Sequence, residues 1–271
     1  FGSPGDVGRF SVFSLKFSPD CKQAILCGAS DFHVYVYDLE TKTQVVKCAA
    51  HDEDVNSVVA MSCNHSSFLS ASDDMLCKVQ ASSWMMQMWD RRTVGNGRQK
   101  PVGVFAGHAA GIAHIASKND GRYFISQGKD QCIKLWDLRS ISGTVFFTFD
   151  KVKIKRTHYW DYRSARIATD RCRYDSVPND VVGAKSSFDT SLMTYCGHRV
   201  LETLIRCYFS PEFTTGQRYI YTGSQGGLVH VYDVLTGKAV KRLIGHRGVV
   251  RDVSWHPFRP LLASSSWDRT V

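Results

Sequence analysis

"KDQCIKLWDLR", residues 129–139, sets an aspartate before an alternating apolar run, closes the run with Trp136-Asp137 and ends on Arg139. Such a run between turn-forming residues reads as a short strand, because successive side chains of a strand point to opposite faces. Working outward, His108 stands 22 residues before Asp130, at the head of another apolar run, "GIAHI". The spacing recurs: His246 precedes Asp268 by 22 residues and His51 precedes Asp74 by 23. Four stretches open alike, "AAHDEDVNSV", "AGHAAGIAHI", "CGHRVLETLI" and "IGHRGVVRDV". Three strands end in an aromatic and Asp: "VYVYD" (34–38), "IKLWD" (133–137) and "VHVYD" (229–233).

Alternating segments predict strands at about 11–18, 24–29, 34–38, 55–61, 67–71, 112–117, 123–127, 132–136, 204–209, 219–223, 228–232, 249–255 and 261–265. "FSPD", "KNDGRY" and "LETKTQ" supply turn chemistry between them. No segment sustains the helical period. The chain is therefore expected to be all-β. A four-stranded unit of this size cannot bury both faces alone, so such units stack radially with few open edges.

The 271 residues are 43% hydrophobic, enough for a sizeable core. No apolar run is long enough for a transmembrane helix, and no membrane association is expected. The start, "FGSPGDVGRF", lacks an initiator Met and the pattern of a signal peptide. Nine cysteines (21, 27, 48, 63, 77, 132, 172, 196 and 207) stand singly, without a C-x-x-C pair. That pattern points to reduced thiols in the nucleus or cytoplasm, not to a disulfide or zinc framework. The formal charge of +9 favours acidic partners but says nothing of fold.

The repeated units resemble WD40 repeats, whose fold is a β-propeller. Five are present, at about 10–50, 51–107, 108–197, 198–245 and 246–271, within one propeller domain spanning 1–271. The resemblance implies seven blades, so the sequence is expected to be a piece of a longer chain. It also implies one hydrogen-bonded set per blade. The sets are His108, Ser126, Asp130 and Trp136; His246, Ser264 and Asp268; and His51, Ser70 and Asp74. The fourth unit departs, with Gly226 at the Asp position and Tyr232 for Trp, and should be less rigidly tied.

A Ser-His-Asp trio invites a catalytic reading. Its recurrence argues otherwise, since a nucleophile is needed once and a strand-locking network in every repeat. Phosphate-loop, dinucleotide and zinc-protease motifs are missing from the sequence. No enzymatic activity, cofactor or metal is expected.

Two interruptions break the pattern. Asp74 should be followed by an aromatic-Asp pair six residues on, but position 80 is Gln and the pair arrives at Trp89-Asp90. Removing residues 80–88, "QASSWMMQM", restores "DMLCKVWDRR". Either the strand bulges there, or the sequence retains a stretch normally spliced out. A second insertion, about 141–188, follows Arg139 and carries a cluster of Lys and Arg with Tyr159, Trp160 and Tyr162. It reads as a solvated excursion, a partner-binding arm, or a stacking platform for single-stranded nucleic acid.

The arginines of "WDLR" (Arg139) and "WDRR" (Arg92) are not needed by a plain blade. With "FISQGKDQCIKLWDLR" (124–139), they resemble the box of substrate receptors of cullin-four RING ubiquitin ligases. "GRYFISQGKDQCIKLWDLR", "WDYR", "SLMTYCGHRVLETLIRCYFSP", "TGQRYIYTGS" and "VRDVSWHP", in this order, resemble the cullin-four-associated factor eleven family and its plant relatives. The resemblance implies a non-catalytic receptor that meets an adaptor propeller through Arg139, Arg92, Asp137 and Asp90 and presents a protein substrate. The alternative is a scaffold WD40 propeller of another complex, with nucleic acid an unlikely partner on the basic insertion alone.

Overall fold

The computed structural model describes residues 10–18, 24–61, 67–81, 103–140, 189–201 and 203–271. Within them the chain is all-β and forms successive antiparallel sheets. The first contains β1 (Val12–Phe17), β2 (Ala24–Ala29), β3 (His33–Asp38) and β4 (Thr43–Ala49), in that order. The second contains β5 (Val55–Ala60), β6 (Ser67–Ser72), β7 (Cys77–Ala81) and β8 (Gly103–Phe105). The third contains β9 (Ile112–Ser117), β10 (Tyr123–Gly128), β11 (Cys132–Asp137) and β12 (Met193–Cys196). The fourth contains β13 (Cys207–Phe209), β14 (Tyr219–Gly223), β15 (Leu228–Asp233) and β16 (Ala239–Ile244). A two-stranded sheet, β17 (Val250–Trp255) and β18 (Leu262–Ser266), follows. A single helical turn, α1 (Glu212–Thr215), lies between β13 and β14.

The cores lie between consecutive sheets. Leu26, Val34 and Val36 of the first meet Val55, Val58 and Phe68 of the second. Leu69, Val79 and Phe105 of the second meet Ile112, Ile115, Phe124 and Trp136 of the third. Ile125, Ile133 and Leu135 of the third meet Phe209, Ile220 and Tyr232 of the fourth. Tyr221 and Val231 of the fourth meet Val250 and Val253 of the last. Each of these aliphatic side chains contributes about 1.5–3 kcal/mol on full burial. Middle strands are thus sandwiched on both faces. Val34, Tyr35 and Val36 are all buried although they alternate in direction. Two outer strands, β4 and β16, lack such cover and are mostly exposed, whereas β8 and β12 bury Phe105 and Tyr195.

The second sheet corrects one expectation. Residues 80–88 do not all leave the strand, because β7 continues through Gln80 and Ala81, opposite Phe68 and Ser67. In the third sheet the matching partners are Phe124 with Trp136 and Tyr123 with Asp137. Gln80-Ala81 therefore occupies the register of the Trp-Asp pair, because the main-chain ladder continues without its aromatic side chain. Residues 82–88, Trp89, Asp90, Arg92 and the insertion 141–188 lie outside the described residues.

The turn after β2, β6, β10, β14 and β18 repeats a backbone feature that sequence spacing alone does not show. Phe32, Met75, Gln131 and Arg269, each just after the turn Asp, have φ of 71, 71, 69 and 69°. A left-handed residue with a side chain costs roughly 1–2 kcal/mol. In the fourth repeat, where Gly226 replaces the Asp, the matching residue is Gly227 at φ 74°. Glycine takes that conformation freely.

Candidate adaptor interface and the networks behind it

In the third sheet the predicted set comes together. His108 Nδ1 lies 2.9 Å from Asp130 Oδ2, and His108 Nε2 lies 2.7 Å from Ser126 Oγ. Trp136 Nε1 donates to the same Ser126 Oγ at 2.7 Å. Asp130 also accepts from the backbone N–H of Ala109 at 2.9 Å and of Cys132 at 3.3 Å. With Ser126 donating to the imidazole, every donor in the chain Trp136–Ser126–His108–Asp130 meets an acceptor. The bonds to His108 and the backbone hold the Asp130 carboxyl below the usual carboxylate range, against the opposing effect of its burial. A side chain at Gly128 would collide with both Asp130 and His108.

The second and last sheets carry the same trio. His51 Nδ1 is 2.7 Å from Asp74 Oδ2, and its Nε2 is 2.8 Å from Ser70 Oγ. His246 Nδ1 is 3.1 Å from Asp268 Oδ2, and its Nε2 is 2.8 Å from Ser264 Oγ. Ser70 and Ser126 are fully buried, so neither hydroxyl can meet a substrate. Each trio ties the stretch before the first strand of its sheet to the second strand and to the turn that follows it. The fourth sheet is built differently: His198 Nδ1 lies 3.1 Å from the Tyr232 hydroxyl and its buried Nε2 has no partner. Gln131 of the third sheet bridges to it, accepting from Val200 N at 2.5 Å and donating to Val200 O at 3.0 Å.

Asp137, expected at an interface, is engaged within its own blade. Arg122 donates to Asp137 Oδ2 from Nε at 2.9 Å and from Nη2 at 2.8 Å. The backbone N–H of Arg139 donates to Asp137 Oδ1 at 2.9 Å, starting a 3-10 turn over Leu138–Ser140. The bonds from Arg122 hold the Asp137 carboxyl below its usual range. Arg218 and Asp233 repeat the pair in the fourth sheet at 2.9 Å. The signal was the dipeptide Arg-Tyr opening β10 and β14 in "GRY" and "QRY", which spacing from the His and Asp positions did not single out.

Arg139 itself is exposed, and its guanidinium has no partner among the described residues. The surrounding face is formed by the turns joining first to second and third to fourth strands. Gln217 Nε2 donates across it to Lys118 O at 2.8 Å, joining the turns of the third and fourth sheets. Phe213 is 78% exposed, Phe258 is 66% exposed, and their rings pack at 5.4 Å. Leu235, two residues after Asp233 as Arg139 is after Asp137, is 79% exposed. This face thus presents, among the described residues, an exposed arginine and several exposed large apolar side chains. Among the described residues no helix is long and apolar enough to cross a membrane, and no acidic, Cys or His cluster is arranged to hold a metal ion.

The WD domain, G-beta repeat profile matches residues 5–38, 42–79, 99–137 and 237–271. The chain belongs to the WD-repeat family. The matched units are offset from the sheets: residues 42–79 take in β4 and then β5 to most of β7. Each WD repeat thus closes one blade and opens the next. Residues 138–236, which include the Gly226 and Tyr232 departures, are unmatched. The WD-repeat chain is 46% identical over its full length to the LEC14B protein of Lithospermum erythrorhizon, covering 52% of that protein. It is 43% identical, again over its full length, to the LEC14B homolog of Prunus armeniaca. It is 42% identical over 97% of its length to the DDB1- and CUL4-associated factor 11 homolog of Caenorhabditis elegans, covering 43% of that protein. The chain spans about half the length of these curated relatives.

Proposed function

We propose that this WD-repeat chain is part of a substrate receptor of a cullin-four ubiquitin ligase, contributing binding surface and no catalytic group. The observation that carries the reading is Arg139, exposed and with no side-chain hydrogen bond or ion pair among the described residues, while Asp137 beside it is held inside the blade. Similarity to a protein named as associated with DDB1 and CUL4 supports the choice of partner. DDB1 would be the adaptor, and the ligase would act in the nucleus, the cytoplasm or both. Arg139 offers a planar fork of donors to carboxylates and carbonyls across an interface. Phe213 and Phe258 would supply the apolar area around it, since aromatic and Arg anchors dominate binding energy. Arg92 and Asp90, in the second W-D-x-R, would extend the contact from the neighbouring blade. The substrate would be read elsewhere on the repeat array. The test is co-purification of DDB1 with the chain from a matching extract. Failure of DDB1 to co-purify with a folded chain would favour a scaffold of another complex.

A further inference from the structure

Two of the cysteines stand directly opposite each other. Cys132 opens β11 and Cys196 closes β12, and they are Cα partners in the antiparallel ladder. Their Sγ atoms are 3.1 Å apart, and both residues are partly accessible. Directly opposed residues of an antiparallel pair have Cα atoms about 4.5–5.5 Å apart, inside the range a disulfide bridges without moving the backbone. The other described cysteines, Cys27, Cys48, Cys77 and Cys207, are buried.

We propose that Cys132 and Cys196 form a modification site, a dithiol that a peroxide converts into an intrachain disulfide joining β12 to β11. The order of events follows from the pair itself. The hydrogen bond donated by Cys132 lowers the Cys196 thiol below its ordinary range, with burial opposing. Burial instead pushes the Cys77 and Cys207 thiols up, which leaves them inert. The Cys196 thiolate attacks one peroxide oxygen, the O–O bond breaks, and the hydroxide released takes up a proton to leave as water. The Cys132 sulfur then attacks the sulfenic sulfur of Cys196. The S–S bond forms, the S–O bond breaks, and the oxygen leaves with the Cys132 proton as a second water. Two thiols thereby give two electrons to one peroxide. The bond would close the loop that holds both Arg139 and the 141–188 stretch.

The experiment exposes the folded, reduced chain to hydrogen peroxide, blocks the remaining thiols, and maps disulfides by peptide mass spectrometry. The expected result is one dominant cross-linked peptide pair, Cys132 with Cys196, lost on treatment with a dithiol reductant. In Cys132→Ser, Cys196 should stop at the sulfenic acid and be captured by a dimedone-type probe. Protein oxidised in guanidinium should instead give mixed pairings among all the cysteines. Recovery of both thiols unmodified from the folded chain, or the same mixture as from the denatured chain, would overturn the proposal.

Discussion

The Tyr232 hydroxyl sits 3.1 Å from His198 Nδ1, at the strand register that Trp136 occupies in the third sheet. The third sheet ties its histidine through Ser126 and Asp130, whereas the fourth ties it through this hydroxyl, its other ring nitrogen being buried without a partner. Tyr232→Phe therefore leaves a buried imidazole with no hydrogen bond at all. That should cost about 1–3 kcal/mol. The denaturant midpoint measures it, and an unmoved midpoint would show the hydroxyl to be dispensable.

Acid should destabilise the chain before its carboxylates titrate. Burial and the neighbouring charges of Arg206 and Lys16 lower His114 to about 3. Burial and the adjacent His230 lower His198 to about 3, and burial with Arg242 lowers His230 to about 4. In the unfolded chain each would titrate near 6.5, so between about 6 and 4 the unfolded state binds more protons and is favoured as pH falls. Each histidine contributes up to about 1.4 kcal/mol per pH unit in that window. Below it Asp74 and Asp130, whose carboxyls are lowered on folding, add loss of the same sign. Thermal midpoints from pH 7 to 4 should fall continuously; a flat profile down to pH 4.5 would contradict the burial of these rings.

Asp130 accepts from His108, Ala109 N and Cys132 N, so its removal strands three donors at once. Asp130→Ala should lower stability by about 1–3 kcal/mol or more, spread over every binding partner alike. Asp130→Asn keeps one acceptor oxygen and should recover part of the loss. Equal midpoints for Asp130→Ala and the parent chain would sink the strand-locking account.

The left-handed turn gives an independent check. Gly227 has φ 74° and backbone carbonyl atoms of His246 and Gly248 close to where a Cβ would stand. Gly227→Ala should cost more than the roughly 1–2 kcal/mol of left-handed strain alone, because it also collides with that backbone. Met75→Gly, at φ 71° in the second repeat, should be neutral or stabilising to the turn. Reversal of that order in urea melts would separate the two turns structurally.

Much of this architecture is legible in the residues, and what is not has physical causes. Middle strands such as "AILCGA" and "IKLWD" were readable because sandwiching between sheets demands apolar, β-branched or aromatic side chains. The outer strands β4, β8, β12 and β16 were not predicted. With one face and one edge open, "AVKRLI" needs no alternation and reads as loop. The His and Asp positions were legible by their spacing, since each must meet the other across a fixed number of strand residues, whereas the Ser positions came from the resemblance to WD40 repeats. The Arg122–Asp137 pair is not legible because Arg122 stands just before β10 and Asp137 ends β11, a spacing that coincides with no helical or strand period. The continuation of β7 through Gln80-Ala81 is not legible because the sequence has no aromatic there, whereas the ladder requires only a backbone.

Arg139 uses its main chain and its side chain differently. Its backbone N–H is used, donating to Asp137, but its side chain projects from the 3-10 turn with no partner among the described residues. Removal should leave folding nearly unchanged, because exposed charges contribute little to stability. Arg122→Ala is the contrasting control, since it unpairs the Asp137 carboxylate and should lower the thermal midpoint. If Arg139 anchors the adaptor, Arg139→Ala should weaken that association by about 1–3 kcal/mol, and pairing it with Phe213→Ser should weaken it further. The measurement is recovery of DDB1 with parent and variant chains of matched melting temperature. Equal recovery with the double variant would mean that this face is ordinary solvated surface, and the adaptor would then have to be sought on the opposite ends of the strands.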